Sequence, residues 1–388
     1  MIRNRLCPLC GAETSAVLQL HFNKKMKLPI EPEIRHCPTD NFLFVANGDQ
    51  GNYDEYYQSL ANDSYHAELA GADLHSPIAI LQKSHLMTLL QDFFDKPRKV
   101  LDFGCGEASL LVELAGAFPS SMFFGFDPGP GAKIGSQKAN LLDLSNMEIT
   151  DLKASDRGDS YDLVIASHVM EHVLDFRLLL HLNGLLAENA LLYVEVPNSL
   201  RYESYHRREF LYYFDRLHVN HFTPQALATL AAAYGFGYVR HFEYAFPYRD
   251  GADFPGLGML FRKGAQRVEI SSPEILDAAN RYIAQERRRA ETVVKQFDKF
   301  EGILVWGAGD NLFRSAENGG PLSGPLKMVL LDRRQQEIVI GKRRWSTVDP
   351  EEGILRNPWP VVITISEGRL SVSEEVKRID PSREVFFI

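Results

Sequence analysis

The sequence predicts an α/β protein in which two parallel, doubly wound sheets follow a small cysteine-containing module. Two stretches of the chain alternate short apolar strands with amphipathic helices, the first at about 76–245 and the second at about 301–388. Such alternation is typical of a parallel sheet with helices on both faces. Ahead of both stretches, Cys7 and Cys10 enclose two residues, a spacing typical of a metal-binding turn.

Four consecutive segments are expected. A cysteine module and its connector occupy 1–75, the first sheet domain 76–245, a linker with a long helix 246–300, and the second sheet domain 301–388. The predicted strands of the first sheet are 99–104, 122–127, 162–168 and 191–197, and those of the second are 303–309, 327–332, 361–366 and 384–388.

Composition limits the classes of function. A net charge of -9 disfavours a nucleic-acid partner, because nucleic-acid binders usually carry a basic face. The beginning of the chain lacks the apolar core of a signal peptide, and no apolar run approaches the roughly 20 residues of a membrane span. We therefore expect a cytoplasmic protein without a membrane partner. Three of the four cysteines fall within the first 37 residues, which in a reducing compartment favours a metal over a disulfide.

The segment KVLDFGCGEASLL at 99–111 carries the strongest signal. An apolar strand reaches Asp102 and continues through Gly104 and Gly106 into a helix, and glycines there let a ligand approach the strand end. Asp127 ends the next strand about twenty residues later, where an acid can accept hydrogen bonds from ribose hydroxyls. The pair predicts a cofactor with an adenosine part.

Two details favour S-adenosylmethionine (SAM) over a dinucleotide. A dinucleotide loop would need a third glycine at Ser109, whereas the segment fits the pattern D-x-G-x-G, with Ala108 in place of the frequent third glycine. Asp102 also suits the cationic amino group of methionine better than a pyrophosphate.

Four segments, LDFGCGEAS, FGFDPG, YDLVIASHVMEHVLD and LLYVEVPN, resemble in this order the motifs of class I SAM-dependent methyltransferases with a Rossmann-like fold. The resemblance implies that Gly104, Cys105 and Gly106 line the methionine part and that Asp127 holds the ribose. The remaining cofactor contacts that it implies are Asp151 or Leu152 beside the adenine, and Ser167 and His168 at the end of the fourth strand. Glu171 and His172 either belong to this site or cap the helix that follows.

The cysteine module predicts a structural zinc site. Cys7 and Cys10 form one half of a tetrahedral ligand set, and Cys37 is a credible third ligand. The fourth position is open among Asp40, which we favour, His36 and His21. A metal-free turn and a redox-active pair are the alternatives.

The order of a zinc module, a SAM domain and a Rossmann-like domain opening with VWGAGDN resembles the sugar C-methyltransferases that act on nucleotide-linked keto sugars. In the stretch DRLHVNHF, His218 falls on the last histidine of the family's Y-H-E-H motif. Leu217 and Asp215 stand where the family has glutamate and tyrosine, so its substrate and reaction do not transfer directly. The resemblance implies a small-molecule acceptor, such as a nucleotide sugar.

A methyltransferase of this kind has to align an acceptor with the methyl group and remove a proton. His218 and His221 are the candidate general bases, since the pKa of an unperturbed imidazole is near 6.5. Each could instead cap the helix that begins after Thr223. Two other functions stay open: an NAD-dependent oxidoreductase, for which Gly307, Gly309 and Asp332 offer a second glycine loop, and a non-catalytic SAM-binding protein.

Overall fold

The structure is a computed structural model that describes residues 6–22, 28–60, 75–93, 97–129, 131–150, 160–247, 253–324, 327–334, 336–365 and 368–388. The chain divides into two compact units. The first unit comprises Met1–Val17, Ile34–Tyr205 and Leu217–Leu276, and the second comprises Leu18–Glu33, His206–Arg216 and Asp277–Ile388.

A seven-stranded sheet forms the centre of the first unit. Its strands are β4 Lys99–Phe103, β5 Met122–Phe126, β6 Met147–Thr150, β7 Tyr161–Ser167, β8 Leu186–Pro197, β10 Phe236–Pro247 and β11 Asp253–Lys263. The order across the sheet is β10-β11-β8-β7-β4-β5-β6. The pairs from β8 to β6 are parallel, and β11 and β10 add an antiparallel edge. All four predicted strands of this domain are present.

Three helices connect consecutive parallel strands: α3 Ser109–Ala117, α4 Gly131–Leu141 and α5 Leu178–Leu185. Helices α1 Gln50–Leu60 and α2 Pro77–Leu90 precede β4, and α6 Pro224–Ala233 precedes β10. Helix α2 begins with Ser76, whose hydroxyl accepts a hydrogen bond from Ala79 N, and Thr223 caps α6 in the same way at Ala226 N. Because these strands are parallel, their carboxyl ends lie at the same edge of the sheet, where ligands bind in this class of fold.

The sheet extends beyond the predicted boundary at residue 245. The prediction of a linker and helix over 246–300 is wrong for residues 253–263, because β11 lies in the sheet between β10 and β8. The glycines make room for aromatic rings: a Cβ on Gly256 would lie 2.7 Å from the Tyr244 ring, and one on Gly258 would lie 2.5 Å from Tyr193 Oη. Glycine here marks close packing within a strand.

The predicted amino-terminal module is joined to a later part of the chain. Strands β1 Ser15–Gln19, β2 Glu33–Cys37, β3 Phe42–Val45 and β9 Asn220–His221 form one sheet in the order β1-β2-β3-β9. Leu43 pairs with His221 across β3 and β9. The ring of Phe42 lies 5.1 Å from that of Phe222, so the module shares its hydrophobic core with the helix that follows β9.

The second unit contains a four-stranded parallel sheet. Its strands are β12 Ile303–Trp306, β13 Met328–Leu331, β16 Val361–Ile363 and β17 Val385–Phe387, in the order β13-β12-β16-β17. The hairpin β14 Glu337–Ile340 and β15 Arg343–Ser346 accompanies helices α8 Asp310–Glu317, α9 Pro350–Arg356 and α10 Arg369–Ile379. The four strands lie at the predicted positions. The assignment of this unit as a Rossmann-like domain stays a prediction.

Helix α7 Ile275–Phe297 is the long helix expected before this sheet. Residues 206–216, which the prediction placed in the first sheet domain, belong to the second unit. Leu211 N donates to the buried carboxylate of Glu286 on α7 at 3.0 Å, and the Tyr213 ring packs on Tyr282. These contacts explain the reassignment.

Among the described residues, no helix combines the length and the apolar character needed to cross a membrane.

Candidate active site

The predicted glycine loop follows β4 and has the geometry that the sequence implied. Gly104 has φ +80°, and a Cβ there would lie 2.5 Å from Val169 Cγ2. The backbone amides of Gly104 and Cys105 both donate to the carbonyl oxygen of Phe126, at 2.7 and 3.0 Å. Gly106 also has positive φ (+50°), but a Cβ there would meet no described atom within 4 Å. The loop therefore borders open space at Gly106.

Asp127 lies at the end of β5 and bonds to this loop. Its Oδ2 accepts a hydrogen bond from Gly106 N at 2.9 Å, and its Oδ1 accepts one from Gly129 N at 2.7 Å. Each carboxylate oxygen has further lone pairs for a ligand. The acid and the glycine loop, predicted as a pair from their spacing, are thus in direct contact.

Asp102 is buried within β4, with 3% of its surface exposed. Burial, reinforced by the negative charges of Asp127 and Glu195, raises the pKa of Asp102 to about 8. Its Oδ1 has no hydrogen-bond partner among the described residues. A buried oxygen of this kind is costly unless a ligand satisfies it, and a cationic group would both pair with the oxygen and favour its ionised form.

His168 follows β7 and lies between two carboxylates. Its Nδ1 is 2.9 Å from Glu171 Oε1, and its Nε2 is 3.1 Å from Glu195 Oε1. Burial alone would lower the pKa of this imidazole, but the hydrogen bonds and charges of both acids outweigh burial and raise the pKa of His168 to about 10. His168 is therefore cationic at neutral pH.

Glu195 was missed by the sequence analysis. It is fully buried in β8, where its carboxylate accepts hydrogen bonds from Gln82 Nε2 at 2.5 Å, Tyr193 Oη at 2.6 Å and Ser167 Oγ at 3.3 Å. Burial would raise the pKa of Glu195, yet the contact with His168 lowers it to about 2. The signal in the sequence was an acid within the apolar strand LLYVEVP, since buried acids need partners.

Glu171, His172 and His218 form a cluster in the same unit. Their ligand-type atoms all lie within 4.8 Å of one another. Glu171 and His172 lie in a 3-10 turn, Met170–His172, directly after β7, while His218 precedes β9. The His172 Nδ1–H donates to the carbonyl oxygen of Leu217 at 2.9 Å. The structure thus brings the predicted base His218 next to residues whose role the sequence left open.

His221, the second predicted base, is inaccessible to solvent. It is fully buried in β9, and its Nδ1 is 3.1 Å from Tyr202 Oη. A base has to reach the proton that it removes. The burial of His221 therefore favours a role in packing, while His218 is only half buried. Asp151 and Leu152, predicted beside the adenine, lie outside the described residues.

Residues 79–241, which span the glycine loop, Asp127 and the histidine cluster, match a family model described as "Methyltransferase domain". Residues 79–241 therefore carry a methyltransferase domain. The match agrees with the prediction for that part of the chain, and the finer resemblance to sugar C-methyltransferases stays a prediction.

Curated proteins similar to this chain include two methyltransferases. The chain is 25% identical over 186 residues to (S)-coclaurine N-methyltransferase of Thalictrum flavum subsp. glaucum, covering 45% of this chain and 47% of that protein. It is 32% identical over 107 residues to trans-aconitate 2-methyltransferase of Methylobacterium radiotolerans, covering 27% of this chain and 40% of that protein. The chain thus spans less than half the length of either relative.

Among solved structures, magnesium protoporphyrin IX methyltransferase from Synechocystis PCC 6803 is 16% identical, with a TM-score of 0.42. The alignment covers 54% of this chain and 99% of that one.

The predicted zinc ligands lie together in the first unit. Cys7, Cys10, Cys37 and Asp40 place their ligand atoms within 4.8 Å of one another. Asp40 Oδ2 is 3.0 Å from Cys7 Sγ, and the sulfurs of Cys10 and Cys37 are 3.7 Å apart. Burial raises the pKa of the Cys7 thiol far above its ordinary value and that of Cys10 to about 11. The alternative fourth ligands, His36 and His21, are not in this group.

The second glycine loop, at Gly307 and Gly309, has a related arrangement in the other unit. Asp332 Oδ2 accepts a hydrogen bond from Ala308 N at 3.4 Å, and its Oδ1 accepts one from Arg334 N at 2.8 Å. Leu312 is fully buried where a dinucleotide loop would have its third glycine.

Proposed function

We propose that this chain transfers the methyl group of SAM to a small-molecule acceptor. The observation that carries the proposal is the arrangement of Asp102, the loop from Gly104 to Gly106, and Asp127 at the carboxyl ends of neighbouring parallel strands. Both relatives, (S)-coclaurine N-methyltransferase and trans-aconitate 2-methyltransferase, are named for small-molecule acceptors. Their activity agrees with the acceptor class proposed here.

The residues present fit the cofactor. We place the methionine part along Gly104, Cys105 and Gly106, where a side chain at Gly106 would enter open space. The unpaired oxygen of Asp102 would accept a hydrogen bond from the methionine ammonium group. Asp127 would accept hydrogen bonds from the ribose hydroxyls, and Asp151 or Leu152 would flank the adenine. Ser167 and His168 would close the site at the end of β7.

SAM supplies an electrophilic methyl group on a sulfonium, so the protein has to orient the acceptor and help it lose a proton. We assign the removal of the acceptor's proton to the cluster of Glu171, His172 and His218. Of the two predicted bases, His218 is the one that solvent and a ligand can reach. The buried pair of His221 and Tyr202 would hold β9 in place.

We also propose that Cys7, Cys10, Cys37 and Asp40 hold a structural zinc ion. Three thiolates and one carboxylate match the ligand chemistry of tetrahedral zinc. The thiols of Cys7 and Cys37 are buried and that of Cys10 is exposed, and a cation stabilises the ionised form of such a cluster. A structural zinc contributes on the order of 10 kcal/mol to small zinc modules, so this ion would hold β2 and β3 in register.

The acceptor screen should begin with nucleotide-linked sugars, which the resemblance of the whole chain implies, followed by amines and carboxylic acids. Formation of S-adenosylhomocysteine with a panel of these compounds would be measured by mass spectrometry, with Asp127→Asn as the matched control. At a subsaturating SAM concentration, the wild type is expected to form the product in the presence of the acceptor, and the variant is expected to form much less. Tight SAM binding without transfer to any acceptor would instead support the non-catalytic alternative.

A further inference from the structure

Glu171, His172 and His218 form a second group of residue types that bind metals. Unlike the cysteine cluster, it contains no thiol. Two imidazoles and one carboxylate lie with their ligand-type atoms within 4.8 Å of one another. Bonds of about 2.0–2.1 Å to one ion would place neighbouring ligand atoms about 3.4 Å apart. Small side-chain rotations that bring these atoms closer together would therefore let all three bind one ion.

Glu171 offers one carboxylate oxygen toward this cluster. The residue is 1% exposed, and its Oε1 is fixed by His168 Nδ1 at 2.9 Å. Its Oε2 is buried and has no hydrogen-bond partner among the described residues. A buried carboxylate oxygen without a donor is unfavourable in a native structure, and ligation of a cation would satisfy it.

The ligands are also oriented as metal ligands usually are. A metal-bound histidine commonly donates its second ring N–H to a carbonyl or carboxylate oxygen, which fixes the tautomer. His172 does this through Nδ1 to the carbonyl of Leu217, which leaves Nε2 as an acceptor. Glu171 is oriented by His168, and His168 is in turn held by its contact with Glu195 at 3.1 Å.

We propose that Glu171, His172 and His218 bind a divalent first-row transition-metal ion as a two-histidine, one-carboxylate site. Nitrogen and carboxylate ligands in this ratio suit Zn²⁺ and Fe²⁺ and leave coordination positions open. Both histidines are only half buried, so water can occupy those positions. Binding of the ion does not depend on the proposed function. Its use rests on the proposed function: with the ion bound, His218 is a ligand and no longer a free base. The ion would take over that role by making a bound acceptor hydroxyl or water more acidic, so that its proton passes to solvent.

Cobalt substitution would test the site in the full-length protein. Metal would be removed by dialysis against a chelator, Co²⁺ would be titrated in, and bound metal would be counted by elemental analysis. Thiolate ligands add charge-transfer absorption in the near ultraviolet, whereas histidine and carboxylate ligands give only weak visible bands. The wild type is expected to bind about two ions per chain, one with each spectrum.

Matched variants assign the two spectra. His218→Ala and His172→Ala should each lose the ion without thiolate absorption, while Cys7→Ser with Cys37→Ser should lose the other. His241→Ala, at an exposed histidine bonded to Tyr238, should change neither. Retention of both ions in the His218→Ala and His172→Ala variants, with unchanged melting curves, would overturn the inference. So would a wild type whose only bound cobalt shows thiolate absorption. Because the readout is metal content, failure of methyl transfer would leave it unaffected.

Discussion

The carboxylate of Asp127 accepts a hydrogen bond from the backbone N–H of Gly106 at 2.9 Å, so the acid at the end of β5 and the glycine loop after β4 form one unit. Asp332 and Ala308 show the same relation in the other parallel sheet. In each case the second carboxylate oxygen accepts from the amide two residues further along, Gly129 or Arg334. The two acids therefore provide a matched pair for mutation.

Replacement of Asp127 by Asn should weaken SAM binding by about 10- to 100-fold, because hydrogen bonds to a charged group contribute about 1.5–3 kcal/mol. Asp332→Asn removes an equivalent acid from the other loop and should leave SAM affinity unchanged. Isothermal calorimetry measures both. Equal losses in the two variants would contradict the assignment of SAM to the first loop.

SAM affinity should depend on pH through Asp102. Burial raises the pKa of this carboxyl from its ordinary value of 3.8 to about 8, so it is mostly protonated in the free protein at neutral pH. If the methionine ammonium pairs with the ionised form, binding releases a proton, and affinity should rise by up to about tenfold per pH unit from pH 6 to 8. Calorimetry in buffers of different ionisation enthalpy would detect the released proton.

Asp102→Asn is the control for that pH dependence. It should bind SAM weakly and with little change between pH 6 and 8. The folded protein keeps a proton on Asp102 that the unfolded chain loses above pH 3.8, so the wild type loses stability as pH rises from about 4 to 8. The variant should therefore melt at a higher temperature than the wild type at pH 8. A steep pH dependence that survives in the variant would assign the proton to another group.

Gly104→Ala and Gly106→Ala should separate stability from cofactor binding. Alanine at Gly104 combines the cost of a left-handed conformation, about 1–2 kcal/mol, with a contact of 2.5 Å to Val169 Cγ2. It should lower the melting temperature. Gly106→Ala has open space for its Cβ and should melt closer to the wild type, yet bind SAM less tightly because the methyl group enters the cofactor space. Differential scanning fluorimetry with and without SAM measures both effects.

The strands of the parallel sheets, the glycine loop and its acid could be predicted from the sequence because each depends on local patterns. Strand β11 could not, since its glycines are required by the rings of Tyr193 and Tyr244, which only the folded sheet brings near. The ion pair of His168 with Glu195 was equally hidden, because it joins a residue after β7 to one within β8. This contact between distant parts of the chain contributes to both pKa values, and sequence spacing does not encode it.

Cys37→Ser should remove the proposed structural zinc and destabilise the amino-terminal sheet. Cys37 is fully buried in β2 and belongs to the group with Asp40. The matched control is Cys105→Ser, at the cysteine outside the cluster, which should retain the zinc. Elemental analysis of the purified proteins counts the ion. If the two variants hold the same amount of zinc, the cysteine cluster is not its site.

His218→Ala and His221→Phe should fail in different ways. Loss of His218 should lower kcat by about 100- to 10,000-fold, the usual range for acid–base groups, with SAM affinity unchanged. Substitution of His221 removes its contact with Tyr202 Oη and should mainly lower the melting temperature. Steady-state kinetics with an identified acceptor and thermal melting distinguish the two. A normal kcat in His218→Ala would remove this residue from the reaction.

The central claim is that the loop at Gly104–Gly106 and Asp127 bind SAM. Calorimetric titration of the wild type and of Asp127→Ala with SAM, S-adenosylhomocysteine and NAD tests it most directly. We expect heat from SAM and its product, loss of both signals in the variant, and none from NAD. Binding of NAD without binding of SAM would contradict the claim and support an oxidoreductase.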